Sequence, residues 1–368
     1  MKNFRRLFAW LWTCLLLIVL SCSEQVDTQK KLGSHSNATL GNSDRVLTYI
    51  LGLGFSKTNI VDAGKEYIVE GDIVFPKDMK LANGGKSGRV DQVYAGLLAN
   101  VAHQVISVAI DPGLVNYTPE VTSALSLWNN SGSNVHFVLV TDDGTQNITI
   151  FNVDLGADTC GRAGFPNNGI PFNNVQINSA WVAGQSFGER MVNVAHELGH
   201  CIGFFHTNLP PGNYTDPDTG TNYNVVDVPG WGGSDASSIM NGGLCGSLQT
   251  VLSAHDIGAV KALYADPKPL NTSITITSTQ FIASWSNPAS AILSDTRGSV
   301  RVSYGGYSGT SISGAVTLPA SANSYVIPGD PSAGSSGYIS VTVTEQYASG
   351  GSAAGPTVSR NKSGGVWQ

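Results

Sequence analysis

His196-Glu197-Leu198-Gly199-His200-Cys201-Ile202-Gly203-Phe204-Phe205-His206 fills every fixed position of the pattern HExxHxxGxxH. On a helix, His196 and His200 stand one turn apart on the same face, so both imidazoles reach one tetrahedral ion. Glu197 lies about 100° further round, beside that ion. His206 follows His200 by six residues, and a continued helix would swing it away, so the chain has to turn before it. Gly203 can supply the turn, since glycine adopts positive φ without steric cost. Three neutral nitrogens then hold zinc and leave a fourth corner for water, as catalytic rather than structural sites do. Zinc so held lowers the pKa of water from about 15.7 to about 7, and Glu197 acts as general base and then acid while a carbonyl is attacked. A bare HExxH arises by accident in ordinary amphipathic helices; three histidines, a Glu and a Gly at set spacing rarely do.

A chain of 368 residues suits two or three folded units. Only 12% of residues are charged and 43 are Gly, a β-rich, loop-rich, exported composition. The net charge of −6 supplies no basic field, which argues against nucleic-acid partners. Met1-Lys2-Asn3-Phe4-Arg5-Arg6, the apolar run Leu7 to Leu20 and Ser21-Cys22 read as a secretion signal. Val19-Leu20-Ser21-Cys22 also resembles a lipobox, which would make Cys22 the lipidated first residue of a bacterial cell-envelope lipoprotein, against an ordinary signal with a chance cysteine. A monomer touching the membrane by its lipid alone is expected, because no later segment is apolar enough to span a bilayer. In an oxidising compartment Cys160, Cys201 and Cys245 give one disulfide and one thiol; Cys201–Cys245 is the expected pair, with Cys160–Cys201 competing.

Signal peptide 1–22, tether 23–44, a small module 45–95, a main domain 100–266 and a C-terminal module 270–368 follow from shifts in texture. Leu81 to Arg89 is flexible and basic, an easy site for nicking. In the main domain, strands are expected at Val105–Ile110, Val135–Val140, Asn147–Val153 and Val175–Ile177, with Asp142-Asp143-Gly144 as the turn joining the second and third. Thr118 reads as the N-cap of a helix to Asn129, Ser186–Phe204 as the histidine-bearing helix, Ser253 to Tyr264 as a capped closing helix, and Gly161–Asn173 as a long loop. That order suits an α+β domain with one mixed twisted sheet. Short alternating runs after Asp266 argue a small all-β sandwich, with Trp285, Tyr304, Tyr325 and Tyr338 as inward aromatics.

The zinc segment, with Ser237-Ser238-Ile239-Met240-Asn241, resembles the metzincin zinc peptidases, which implies that Met240 is a Met-turn beneath the metal. Leu252 through Tyr264 looks like the closing helix of matrixin-type members. Tyr67 to Phe75, Cys160-Gly161-Arg162-Ala163-Gly164-Phe165-Pro166 and His196–His206 together resemble bacterial peptidase family M57, the dual-action HEIGH metallopeptidases, with Leu198 in place of the Ile of that name. The resemblance covers about residues 45–266. It implies zinc bound by His196, His200 and His206, Glu197 as catalytic residue, and a protein or peptide substrate. A similar Gly-Asp in astacin-like prosegments implies a zymogen in which Asp72 is an aspartate switch, with an activating protease cutting near Lys86 or Arg89; the alternative is that Asp72 caps a turn. The tyrosine that astacins place two residues after the turn methionine is Gly242 here, leaving zinc and backbone donors to face the oxyanion. The C-terminal module resembles a fibronectin type III domain, a module that spaces or tethers.

His103, His136 and His255 are isolated. Calcium is a second candidate ion, at Asp216, Asp218 and Asp227 or at Asp142 and Asp143, set against solvated turn aspartates because no complete oxygen-ligand pattern occurs. Two other functions stay open: a surface binding or adhesion lipoprotein with a structural zinc, and a zinc hydrolase of cell-wall amides.

Overall fold

The computed structural model describes residues 42–53, 55–81, 93–94, 97–157, 159–208, 213–215, 222–224, 226–231, 235–243, 249–288 and 293–368. The leader with Cys22, Lys86, Arg89, Asp216, Asp218 and Cys245 lie outside these residues. Alternation of apolar residues in the first two thirds of the chain yields one eight-stranded mixed sheet. An N-terminal meander of β1 (Ile60–Asp62), β2 (Glu66–Val69) and β3 (Ile73–Pro76) joins β4 (Val105–Ile110), β5 (His136–Leu139), β6 (Ile148–Asn152), β7 (Gly161–Gly164) and β8 (Asn174–Ile177) in the order β1-β2-β3-β7-β8-β6-β4-β5. The meander enters the sheet through β3, which runs parallel to β7 with Ile73 opposite Ala163.

Two sequence expectations change here. Asp142-Asp143-Gly144 does not close a hairpin: β5 and β6 lie on opposite sides of β4, both parallel to it. Ile148, Thr149 and Ile150 are buried and need neighbours on both sides, while β5 exposes three of its four residues and suits the edge. The start of the expected Gly-rich loop is β7, a strand that glycine permits because its neighbours come so close. A Cβ at Gly161 would run into Glu197, and one at Gly164 into Phe172 and the Val74 carbonyl.

α1 (Asn42–Gly52), which the sequence reading placed partly in the tether, packs Val46, Tyr49 and Ile50 on the meander. α2 (Thr118–Asn129) and α3 (Phe187–Cys201) pack together against the sheet, with Trp128 Nε1 donating to the Ala195 carbonyl at 2.9 Å. Thr118 is already helical rather than a cap, and its hydroxyl turns back to the Val115 carbonyl at 2.6 Å. The last helix of this region, α4 (Ala254–Leu263), carries a capping box of Ser253 and Asp256.

Beyond Asp266 two antiparallel sheets enclose a separate core. β9 (Leu270–Ile276), β10 (Phe281–Ser286) and β13 (Ser324–Ile327) form one; β11 (Arg297–Ser308), β12 (Thr310–Pro319), β14 (Gly337–Tyr347), β15 (Val358–Ser363) and β16 (Val366–Trp367) form the other, in the order β12-β11-β14-β15-β16, with the short strand Ser352–Ala354 also pairing β14. Trp285 is buried and Tyr304 and Tyr325 pack on the core, but Tyr338 is 52% exposed, because its position on β14 faces solvent. Among the described residues no helix is long and apolar enough to cross a membrane.

Candidate metal centre

Ser186 caps α3 through a reciprocal pair, its hydroxyl accepting from Glu189 N–H and Glu189 Oε2 accepting from Ser186 N–H at 2.7 Å. From Met191 to Cys201 nearly every residue is buried, so His196, Glu197 and His200 are carried into the interior. The helix ends by a Phe204 N–H bond to the Gly199 carbonyl at 3.0 Å, and Gly203, at φ +100°, reverses the chain. No other residue fits that position, since a Cβ would strike the Leu97 carbonyl. The reversal brings His206 back across from the helix.

The three Nε2 atoms converge. That of His196 lies 3.1 Å from His200 Nε2 and 3.3 Å from His206 Nε2, while Asp72 Oδ2 lies 3.2 Å from His206 Nε2 and 3.9 Å from His196 Nε2. His196 Nδ1 donates to the Ile239 carbonyl at 2.6 Å and His200 Nδ1 to the Phe204 carbonyl at 2.8 Å. Their facing Nε2 atoms therefore present lone pairs to each other, an arrangement that a cation between them stabilises. Donors around a tetrahedral ion at zinc–nitrogen distances stand about 3.3 Å apart, so the observed spacing fits such an ion. Asp72 Oδ1 and Glu197 Oε2 are buried without a hydrogen-bond partner, the further mark of a polar site awaiting a ligand. Among the described residues this is where metal-ligating side chains cluster; the turn aspartates 142 and 143 are engaged by their own backbone at Gly144 and Thr145.

Electrostatics follow from burial. Desolvation, helped by the charge of Asp72 and opposed by Arg162, pushes the Glu197 carboxyl well above the usual range. Burial, then His206, lowers His196 to about 4 without a metal. At His206 burial also lowers the value, but Asp72 and Glu70 outweigh it and bring it to about 9. Glu197 and Asp72 line a cavity of about 100 Å³ together with Thr159, Asn193 and His196.

Met240 is fully buried beneath the site, where its Sδ occupies the space that a Cβ on Gly199 would need. Asp256 holds this loop, accepting from Ser238 Oγ at 2.6 Å and Ile239 N–H at 3.1 Å while it caps α4. The carbonyl that orients His196 is thus fixed from the closing helix, a supporting role for Asp256 that the capping-box pattern signalled but the sequence reading did not draw. Gly242 abuts the His206 ring so closely that a side chain there would displace it. Glu70 was missed altogether: its Oε2 lies 3.2 Å from His206 Nδ1.

The expected Cys201–Cys245 pair is wrong. Cys201 is a free, fully buried thiol, raised well up by desolvation, whereas Cys160 is disulfide-bonded to a partner outside the described residues. Cys201 lies in the hydrophobic core that α3 shares with the sheet.

No curated protein matches the chain. Among solved structures, myroilysin is similar at 18% identity over 57% of this chain and 96% of that one, with a TM-score of 0.33. The third fibronectin III domain of human KIAA0343 protein is similar at 17% identity over 27% of this chain and 83% of that one, with a TM-score of 0.21. The profile of the dual-action HEIGH metallopeptidases, family M57, matches residues 68–264, more than half of the chain. With its HELGH helix and three converging imidazoles, the chain is a member of the M57 metallopeptidase family.

Proposed function

We propose that this metallopeptidase is an exported, lipid-anchored zinc endopeptidase of metzincin type, made as a zymogen whose switch is Asp72. The observation that carries the reading is the single carboxylate oxygen of Asp72 set against the three Nε2 atoms. His196, His200 and His206 would hold zinc, which supplies acidified water and a Lewis acid for the scissile carbonyl. Glu197, its free Oε2 facing the cavity, takes a proton from water and returns it to the leaving amine. Substrate lies extended along the edge of β7, where β3 now pairs; the meander therefore blocks both the ion and the strand-addition edge. Residues 45–95 are then the prosegment, and a cut near Lys86 or Arg89 begins activation. The C-terminal sheets are proposed to be fibronectin III-like because two antiparallel sheets enclose one separate core.

Two measurements test the reading. Glu197→Gln in the trimmed enzyme should keep zinc and lower casein hydrolysis by roughly 10² to 10⁴. Asp72→Ala in the full chain should raise hydrolysis by roughly 10- to 100-fold without trimming, the value of one or two charge-assisted bonds. The same four donors also describe a permanently closed structural zinc in an adhesion lipoprotein. Full-length and trypsin-nicked protein that both stay inactive on casein and on cell-wall amides would favour that rival.

A further inference from the structure

Glu70 stands at the tip of the β2–β3 turn with φ +55°, followed by Gly71 at +92°. Both values are positive, the backbone of a tight hairpin turn that normally takes Asn-Gly. Glutamate resists this left-handed conformation, and residues held there cluster at functional positions. The turn is over-determined by its surroundings: Glu70 N–H bonds the Asn59 carbonyl at 2.9 Å, and Ala163 N–H bonds the Asp72 carbonyl at 2.9 Å.

The three histidines differ in what stands behind them. His196 and His200 rest on the carbonyls of Ile239 and Phe204, both in the main part of the sheet domain and outside the meander. The partner of His206 Nδ1 is the carboxylate of Glu70, from the meander. A carboxylate behind a metal-bound imidazole fixes its ring and tautomer and raises its basicity.

We propose that Glu70 is a positioning residue for the metal, holding His206 from behind while Asp72 faces the ion from the same turn. The inference rests on the zinc-site and Asp72-switch reading above. One hairpin then places Glu70 behind His206 and Asp72 on its metal-facing side, and removing residues 45–95 takes away a ligand and an orienting group together. The full chain holds zinc more tightly than the trimmed enzyme, and by more than the loss of Asp72 alone.

Zinc affinity of the full chain, measured by competition with a chromophoric chelator, tests this. Glu70→Asn suits the turn and cannot span to His206, so folding is preserved; zinc binding should weaken by about 10- to 100-fold. Glu70→Gln, which keeps the reach without the charge, should lose less. Asp62→Asn, which removes only the exposed Lys77 pair in the same meander, should bind as the wild type does. Affinity for Glu70→Asn within about twofold of wild type, or an equal loss in Asp62→Asn, overturns the proposal. An Asp72→Ala full chain that stays inactive until trimmed would instead sink the switch reading, with the zinc series still deciding Glu70.

Discussion

The two flanking modules meet the catalytic domain in different ways. The N-terminal meander contributes strands to the sheet and shares a core with it. Phe165 and Phe205 of the domain stack at 5.2 Å, and Phe75 and Phe55 of the meander pack on them at 5.5 and 5.3 Å. The C-terminal sandwich closes its own core and touches the domain at its rim, through Asp295 to Val101 N–H at 3.1 Å, Ser294 to Gln104 at 2.9 Å and the Tyr347 hydroxyl to the Pro267 carbonyl at 2.7 Å. The meander therefore brings Glu70 and Asp72 against His206, whereas these contacts of the sandwich lie at the rim. Phe165 also stands edge-on to His200 at 5.7 Å, so the shared aromatic cluster runs from α1 to the three converging histidines.

Mutations on either side sharpen that contrast. Phe75→Ala empties the centre of the shared cluster and should cost about 3–5 kcal/mol in denaturant unfolding, with basal casein hydrolysis of the untrimmed chain rising as the meander loosens. If stability fell but untrimmed activity did not change, packing and latching would be separate and the contrast would fail. Tyr347→Phe leaves the sandwich core intact and should cost about 1 kcal/mol with no change in hydrolysis. A large gain in activity there would mean that the rim contact also governs the site.

The docked sandwich bears on its role. Buried Tyr347 and Ala353 pack with Val101 and Ala265, and Gly351 meets the Ala102 backbone too closely for any side chain. The module is seated on the domain through these contacts. Its buried ion pair, Arg297 with Glu345 at 2.8 Å, is internal and takes no part in the contact.

Legibility in the sequence followed the range of the interaction. The capped helix Phe187–Cys201, the Gly203 reversal and the capping box at Ser253 are local patterns, and they lie within a few residues of where they were expected. β7 was hidden because Gly161 and Gly164 are strand residues only by virtue of Glu197, Val74 and Phe172, which come from elsewhere in the chain. The false hairpin at Asp142 had sound local chemistry, but strand order is set by which strands need two covered faces. The disulfide failed for the same reason: proximity in space, not along the chain, chooses a partner.

By itself the sequence determined that three histidines and a glutamate share one helix-and-turn unit, because 3.6-residue periodicity and a positive-φ glycine leave little freedom over eleven residues. Tertiary structure decided what surrounds them. Asp72 and Glu70 reach His206 across more than 130 residues of chain, and Asp256 reaches His196 through the Ile239 carbonyl. Such contacts depend on sheet order and core packing, which bring distant segments within a hydrogen bond's length and which no local pattern encodes.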